Sequence, residues 1–192
     1  DRTRSSTPAG AGHPTSSLSA AHLPAVLWSD HLRYDVSDPK SLANDRFVLS
    51  KGHASPLIFS VLKAVGAIGD EQLLSFRRFG SPVQGHPVPL PEMPWIDVAT
   101  GSLGQALPTA LGMAHAMKMA GIPARVWCLM GDSEVAEGSV WEAFEHAGIA
   151  CLGLVAFLLG QVGVVTQGDG EGGFLDVHGS RGEDDDWRNI QY

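Results

Sequence analysis

The chain has 192 residues, 44% of them hydrophobic and 18% charged, which suits one well-packed domain better than two. Its net charge of -8, from 13 basic and 21 acidic residues, argues against a general nucleic-acid binder, which needs a basic surface. The 23 glycines are scattered at turn positions and form no repeat, which excludes collagen-like and linker classes.

The two cysteines and the N-terminal residues bear on the cellular compartment. Cys128 and Cys151 both lie in apolar runs, where a reduced and buried thiol is the ordinary state. A single pair can form neither a disulfide framework nor a metal site of the CxxC type. The opening sequence DRTRSSTPAG lacks the apolar core of a signal peptide, so the cytoplasm is the expected compartment.

Proline and glycine divide the first half of the chain into helices. The pattern at 15–33 is helical but is interrupted by Pro24, which should kink the helix or mark its true start. Ser55 and Asp70 are each suited to capping a helix start, and a glycine follows at a helical distance. These signals predict two further helices, at 55–66 and 70–80.

The second half alternates helices with short apolar strands. The proline-rich segment 80–97 predicts an irregular loop, and a long helix rich in small residues should end at Gly121. A helix at 137–147 should turn Val140, Trp141 and Phe144 inward. Strands are expected at 47–50, 125–130 and 152–159. This alternation predicts an α/β fold with a parallel sheet, in which ligands bind beyond the carboxyl ends of the strands.

The apolar run at 147–168 also has to be weighed as a membrane helix. It holds no charged residue, and a membrane helix needs about 20 mostly apolar residues. The run is interrupted by several glycines and has no basic flank. Since buried parallel strands also read as continuous apolar runs, the sequence favours strands.

Three histidines share one sequence context. His13, His53 and His86 each follow a glycine and precede a helix cap or a proline. Glycine lets the backbone approach a ligand closely, and an imidazole there can donate to phosphate or transfer protons. The alternative interpretation is three unrelated histidines in turns. The segment ATGSLGQALPTA similarly leads a glycine turn into a helix start that suits phosphate, although GSLG is also an ordinary turn.

The segment GDSEVAEG places acidic residues where the strand at 125–130 should end. Asp132 is suited to a hard cation, and magnesium commonly bridges one or two carboxylates to the phosphates of a ligand. The backbone N–H of Ser133 can donate to the same phosphate. Glu134 and Glu137 have two interpretations: acids of a capped first turn, stabilised by the helix dipole, or members of the site.

Together these segments resemble the N-terminal, diphosphate-binding domain of transketolase, a thiamine-diphosphate enzyme. The matching pieces are GHPTSSLSAA, NDRFVLSKGHASPLIFSVL, GHPVP, DVATGSLGQALPTALGMA and GDSEVAEGSVWEAFEHA. Their order and spacing are those of the family, and they cover residues 10–148. The resemblance implies an α/β thiamine-diphosphate-binding fold, a parallel sheet flanked by helices, and ketol transfer between sugar phosphates in the pentose phosphate pathway.

The resemblance also implies a role for each matching residue. Thiamine diphosphate would supply the carbanion chemistry, and Asp132 would bind the Mg²⁺ or Ca²⁺ that anchors its diphosphate. Ser133 would bind a diphosphate oxygen through its backbone, and Glu137 would join a carboxylate network at a dimer interface. The cofactor pocket would be shaped by Gly101, Ser102 and Leu103, with Leu103 near the thiazolium. The substrate channel would be lined by three catalytic histidines, His13, His53 and His86, of which His53 also contacts the cofactor.

Several positions depart from the family pattern. Ser133 and Ala106 stand where the family commonly has glycine, and both changes should be tolerated. The family motif ends in an asparagine that supplies the second side-chain metal ligand, but no asparagine occurs between Asn44 and Asn189. The metal shell is therefore expected to be incomplete. A second Gly-Asp-Gly at 167–173 is expected to be a decoy, because no helical pattern follows it.

The expected organisation is a flexible N-terminus at 1–12, the α/β domain at 13–165 and a divergent acidic tail at 166–192. The family's pyrimidine-binding domain is missing, so activity should require a partner subunit that carries it, or the chain forms a homodimer. One alternative is a catalytically inactive remnant that serves as a binding or dimerisation module, which the absent asparagine favours. Another is a related thiamine enzyme, such as deoxyxylulose-phosphate synthase or a 2-oxoacid dehydrogenase component, which SKGHASP and GHPVP fit less well.

Overall fold

The computed structural model describes residues 9–10 and 12–150, together with the strand segments 154–158, 163–165 and 173–175. The helices are α1 (Pro14–Ser19), α2 (His22–Val26), α3 (Ser55–Ala64), α4 (Asp70–Leu74), α5 (Ala106–Met119) and α6 (Gly138–Ala150). A π-helical turn and two 3-10 turns lie at Leu27–His31, Gly52–Ala54 and Asp132–Ala136. The strands are β1 (Arg46–Leu49), β2 (Val126–Met130), β3 (Leu154–Leu158), β4 (Gly163–Val165) and β5 (Gly173–Leu175).

Within the described residues the strands form one sheet in the order β1-β2-β3-β4-β5. The first three strands are parallel, and in their register Val48 lies beside Cys128 and Cys128 beside Ala156. This confirms the predicted parallel sheet flanked by helices. Two short antiparallel strands, β4 and β5, extend its edge and were not predicted.

The core has two layers because the strand side chains alternate between the faces of the sheet. Leu49 and Leu129 pack with α3, α4 and the loop that follows, while Val48, Cys128 and Met130 pack with α5 and α6. Both faces of β2 are covered, and all five of its residues are buried. That double burial explains the uninterrupted apolar sequence of the strand.

Several predicted helix boundaries were wrong. The helical pattern at 15–33 divides into α1, α2 and the π-helical turn, and Pro24 lies in the first turn of α2. Ser55 does not cap α3, because its hydroxyl donates to the Gly85 carbonyl at 2.7 Å. The helix that begins at Asp70 ends at Leu74, before the turns that lead to Gly80.

The last described helix also starts and faces differently from the prediction. A 3-10 turn occupies Asp132–Ala136, so α6 begins at Gly138 and continues past Gly148 to Ala150. Val140 is buried and Phe144 partly buried against the same cluster, as predicted. Trp141 was predicted to face inward but is 56% exposed, because the buried stripe of α6 continues through Ala143 and Ala147. Its indole N–H donates to the Val135 carbonyl instead.

The cysteine prediction and the apolar run can be compared only in part. Cys128 is a buried free thiol, and burial raises the pKa of that thiol, whereas Cys151 lies outside the described residues. Strand β3 lies inside the apolar run at 147–168. No helix in the described part of the chain is both long and apolar enough to cross a membrane.

A buried carboxylate, that of Asp45, fixes the start of the parallel sheet. Its oxygens accept hydrogen bonds from the Arg125 backbone N–H at 2.9 Å and the Trp127 indole N–H at 3.0 Å. Arg33 donates to the same carboxylate through its backbone and its guanidinium. The side chain of Asp45 is fully buried, so each donor depends on it for a partner.

We expect Asp45→Ala to lower the free energy of unfolding by about 3 kcal/mol, since it leaves a guanidinium and buried N–H groups unpaired. Urea denaturation followed by tryptophan fluorescence measures this change. The matched control is Asp38→Ala, at an exposed side chain on the loop before β1. It should alter stability by no more than about 0.5 kcal/mol. Equal effects of the two substitutions would contradict the role given to Asp45.

Candidate functional site

Parallel pairing brings the segments that follow β1 and β2 to the same edge of the sheet. The Ser50 backbone N–H donates to the Leu129 carbonyl at 2.8 Å, which continues the ladder just past the end of β1. The chain then passes through Lys51 and Gly52 on one side and through Gly131 and Asp132 on the other. This is the edge at which ligands bind in open α/β sheets.

Glu134 joins three loops at this edge. One oxygen, Oε1, accepts from the Ser50 hydroxyl at 2.6 Å and from the Gly104 backbone N–H at 3.0 Å. The other, Oε2, accepts from the Gly131 backbone N–H at 2.7 Å. Glu134 is fully buried, so these contacts hold the ends of β1 and β2 against the loop before α5. Glu134 both caps its own 3-10 turn and bridges to distant loops, and the sequence pattern suggested only the first of these contacts.

Glycines allow the loops to pack backbone against backbone. A Cβ at Gly52 would lie 2.5 Å from the Thr100 carbonyl oxygen, closer than any real contact. Gly101 has a φ of 154°, and a Cβ there would lie 2.8 Å from Cδ2 of His86. A Cβ at Gly104, where φ is 73°, would lie 2.6 Å from the Cβ of Glu137. Only glycine fits at these three positions without a shift of the neighbouring chain.

The three histidines singled out in the sequence are brought together. The rings of His13 and His53 meet edge to face with centroids 5.2 Å apart, and His86 lies against Gly101. His53 is partly buried, whereas His13 and His86 are exposed. Burial lowers the pKa of His53, and the neighbouring His13, Lys51 and His86 lower it further. A partly buried imidazole therefore stays neutral to lower pH than an ordinary one and can accept a proton.

The remaining predicted residues border the same corner. Asp132 and Ser133 are exposed at the start of the 3-10 turn after β2. Ser102 and Leu103 are exposed between Gly101 and Gly104, and Leu103 is 45% exposed. The Ser139 hydroxyl donates to the Gly104 carbonyl at 2.9 Å, which ties this loop to the start of α6 beside Glu137.

Thr100 is a residue that the sequence patterns did not single out. Its hydroxyl oxygen is buried and has no hydrogen-bond partner within the described part of the chain, while its backbone N–H donates to the Pro87 carbonyl at 3.4 Å. Its carbonyl lies against Gly52. A buried hydroxyl without a partner costs free energy unless a ligand or water bonds to it. The signal available in the sequence was its place directly before GSLG.

The acidic groups at this corner do not complete a metal site by themselves. Among the described residues no group of three or more histidine, cysteine, aspartate or glutamate side chains could hold a metal ion. Asp132 offers one exposed carboxylate, and the carboxylate of Glu134 is already used by three donors. Residues 159–162, which follow β3, and 167–172, with the second Gly-Asp, lie outside the described residues. A cation at Asp132 would thus need further oxygens, such as those of a phosphate ligand.

The corner as a whole suits a phosphorylated cofactor. The glycine-lined loops leave backbone groups accessible, Thr100 has an unused hydroxyl, and Asp132 can share a cation with phosphate oxygens. Three imidazoles next to it can bind hydroxyls and transfer protons. The residues present therefore fit thiamine diphosphate with a divalent cation shared between protein and ligand.

We expect Glu134→Gln to lower the free energy of unfolding by about 2–4 kcal/mol. An amide has one acceptor oxygen, so its NH₂ group must face at least one of the donors that the carboxylate now accepts. Glu145→Gln, at an exposed position on α6, is the matched control and should be close to neutral. Chemical denaturation measures both. A Glu134→Gln protein as stable as the control would remove Glu134 from its bridging role.

The lowered pKa of His53 predicts a pH dependence of stability. Below its ordinary value of 6.5 the unfolded chain takes up a proton at this residue before the folded chain does. The free energy of unfolding should therefore fall as the pH drops through 6.5, until the lowered folded-state pKa has been passed. Denaturation curves between about pH 7 and about pH 5 should be less pH-dependent in His53→Asn than in the wild type. The exposed His115→Asn is the control and should keep the wild-type slope.

Comparison with known proteins identifies the domain. A family model described as transketolase, thiamine diphosphate binding domain, matches residues 5–192. Transketolase from Mus musculus is 50% identical over 147 residues, which cover 76% of this chain and 23% of the relative. Transketolase from Homo sapiens is 49% identical over 157 residues, covering 81% and 25%. One of the subunits of an apulose-4-phosphate transketolase, from Phocaeicola vulgatus, is 41% identical over 135 residues, covering 70% and 47%.

Solved structures agree with the sequence comparison. A transketolase variant from Pichia stipitis, solved with fructose-6-phosphate, superimposes with a TM-score of 0.77 at 31% identity and covers 82% of this chain and 25% of that one. Transketolase from Leishmania mexicana gives a TM-score of 0.73 at 30% identity with the same coverage. The chain spans about a quarter of the length of the transketolases from Mus musculus and Homo sapiens. The chain therefore belongs to the transketolase family, and the part that matches is the thiamine diphosphate-binding domain.

Proposed function

We propose that this domain binds the diphosphate of thiamine diphosphate through a divalent cation on Asp132 and serves ketol transfer between sugar phosphates. The observation that carries the proposal is the meeting of Asp132, the glycine-lined loop 100–104 and three histidines at one edge of the sheet. Elements far apart in the sequence supply these groups, and Glu134 holds two of the loops together.

Each residue would act as the geometry allows. Asp132 would hold Mg²⁺ or Ca²⁺, and the backbone N–H of Ser133 would donate to a diphosphate oxygen. Gly101, Ser102 and Leu103 would shape the pocket for the thiazolium part of the cofactor. The carboxylate of Glu137, at the start of α6, would belong to an interface with a second protomer.

The histidines would handle the sugar. His13 and His86 are exposed and can donate to sugar hydroxyls, while the neutral His53 imidazole can accept a proton and contact the cofactor. When bound, thiamine diphosphate supplies the carbanion chemistry for breaking and forming the carbon–carbon bond. The domain itself contributes position, charge and proton transfer at these imidazoles.

We further propose that a pyrimidine-binding domain completes the site, either in a partner subunit or in a second copy of the protein. The coverage of about a quarter of the transketolases from Mus musculus and Homo sapiens supports a contribution from other domains. The relative from Phocaeicola vulgatus is named as one of several subunits, which supports a division between chains. Exposed apolar side chains at Leu103, Trp141 and Ile149 offer surface that such a domain could cover.

The second candidate function is a catalytically inactive binding or dimerisation module. It is favoured by the absence of a three-ligand metal cluster among the described residues and of any asparagine between Asn44 and Asn189. The two candidates differ in cofactor binding, which the inactive module need not retain.

Titration calorimetry with thiamine diphosphate and Mg²⁺ separates the two candidates. We expect binding in the micromolar range that Asp132→Ala abolishes, because the cation loses its protein ligand. Glu142→Ala, an exposed acid on α6, should bind as the wild type does. A wild-type protein that binds no cofactor would establish the inactive module.

Ketol transfer should appear when the protein is mixed with a subunit that carries the pyrimidine-binding domain, thiamine diphosphate and Mg²⁺. Transfer from a ketose phosphate to an aldose phosphate is followed with a coupled assay, and each component is left out in turn as a control. Cofactor binding without any transfer in the presence of candidate partners would argue against the two-chain arrangement and leave the binding site intact.

A further inference from the structure

Lys51 is a nearly buried cation at the corner where the diphosphate is proposed to bind. It follows Ser50 at the end of β1 and is only 9% exposed. Its aliphatic stem lies across the turn that follows β2, because a Cβ built on Gly131 would be 3.4 Å from its Cγ and 3.5 Å from its Cδ and Cε. The ammonium is therefore carried to the turn that holds Asp132.

The ammonium has acidic neighbours but no direct partner among the described residues. Asp132 and Glu134 both act on its charge, and the structure places no hydrogen bond or ion pair to Lys51 within the part of the chain that it describes. Both oxygens of Glu134 are occupied by the Ser50 hydroxyl and two backbone N–H groups. The three N–H donors of the ammonium therefore remain available.

A purely structural role does not account for this arrangement. A lysine that neutralises a buried glutamate normally forms a direct ion pair with it, because an unpaired buried charge is costly. Here Glu134 is satisfied by neutral donors instead, and burial lowers the pKa of Lys51 while Asp132 and Glu134 oppose that effect. The free energy of holding an unpaired ammonium in this position is recovered only when an anion binds to it.

The charge balance of the corner points to the same ligand. Asp132 and Glu134 bring two negative charges and Lys51 brings one positive charge. A divalent cation added to this set leaves one net positive charge, whereas without Lys51 it would leave none. The ammonium thus changes the corner from neutral to attractive for a diphosphate.

We propose that Lys51 is a second phosphate-binding cation, whose ammonium donates to diphosphate oxygens at the corner where Asp132 holds the divalent ion. This inference rests on the proposed function, because it assigns a residue to the same diphosphate. It makes the chain itself, and not the divalent ion alone, a source of affinity. A thiol, a hydroxyl or an amide at this position could not replace the charge.

Binding of inorganic pyrophosphate and of thiamine diphosphate, each with Mg²⁺, tests the proposal by calorimetry on the wild type and on Lys51→Met. We expect the substitution to weaken both ligands about 10- to 100-fold, as for the loss of one charge-assisted hydrogen bond. Lys51→Arg should recover most of the affinity because it keeps the charge. Lys118→Met, at the exposed end of α5, is the control and should leave the affinities unchanged.

Thermal unfolding of the ligand-free variants separates ligand binding from a structural role. Methionine fills a similar volume without a charge, so Lys51→Met should be as stable as the wild type or more stable. A loss of stability with unchanged affinity would overturn the proposal and make Lys51 a structural residue. Lys51→Gln, which keeps a polar end, decides the question by the same affinity measurement if Lys51→Met does not fold.

The failure of the inference and that of the proposed function give different results. A wild type that binds both ligands, with a Lys51→Met variant that binds them equally well, overturns only the role of Lys51. A wild type that binds neither ligand overturns both proposals. A steeper loss of pyrophosphate affinity with added salt in the wild type than in Lys51→Met would support the role of the ammonium.

Discussion

The candidate site depends on one fully buried carboxylate, that of Glu134. Burying an ionised carboxylate is costly unless hydrogen bonds compensate it, and here three donors from three segments do so. The bond to Ser50 spans 84 residues and the bond to Gly104 spans 30. Because each donor loses its partner if its loop moves, the loops after β1 and β2 and the loop before α5 are fixed relative to one another. Asp132, Lys51 and the glycine-lined loop take their positions from this contact.

The glycines explain why a carboxylate can reach so many loops at once. Gly52 and Gly101 let two backbones approach to distances that any side chain would prevent, and Gly104 does so against Glu137. Such close packing brings main-chain groups to the ligand side, where their dipoles are held in place before a ligand binds. Preorganisation of this kind lowers the ordering cost of binding, so less of the interaction energy is lost when a phosphate arrives.

Local patterns predicted the parts of the fold that depend on neighbouring residues. The strand at 125–130 was predicted from its continuous apolar run, and the position of Asp132 at its end followed from the rule that parallel strands carry ligands at their carboxyl ends. The shared context of His13, His53 and His86 suggested a common role, but only the fold shows that His13 and His53 are in contact. Trp141 was misplaced because the start of α6 depends on the 3-10 turn that Glu134 caps, a contact that sequence spacing does not reveal.

The long-range contacts also separate two acidic residues that look alike in the sequence. Glu134 and Asp132 lie two positions apart in one turn, yet one is fully buried and satisfied by protein donors and the other is exposed and has an open carboxylate. The buried acid can therefore serve only the architecture, while the exposed acid remains available to a cation. Lys51 lies between these two situations, since it is buried like Glu134 but, within the described residues, has no hydrogen-bond partner. A side chain that is held in place by its stem and left with unused donors is placed for a ligand, because only a bound anion can balance the cost of burying its charge.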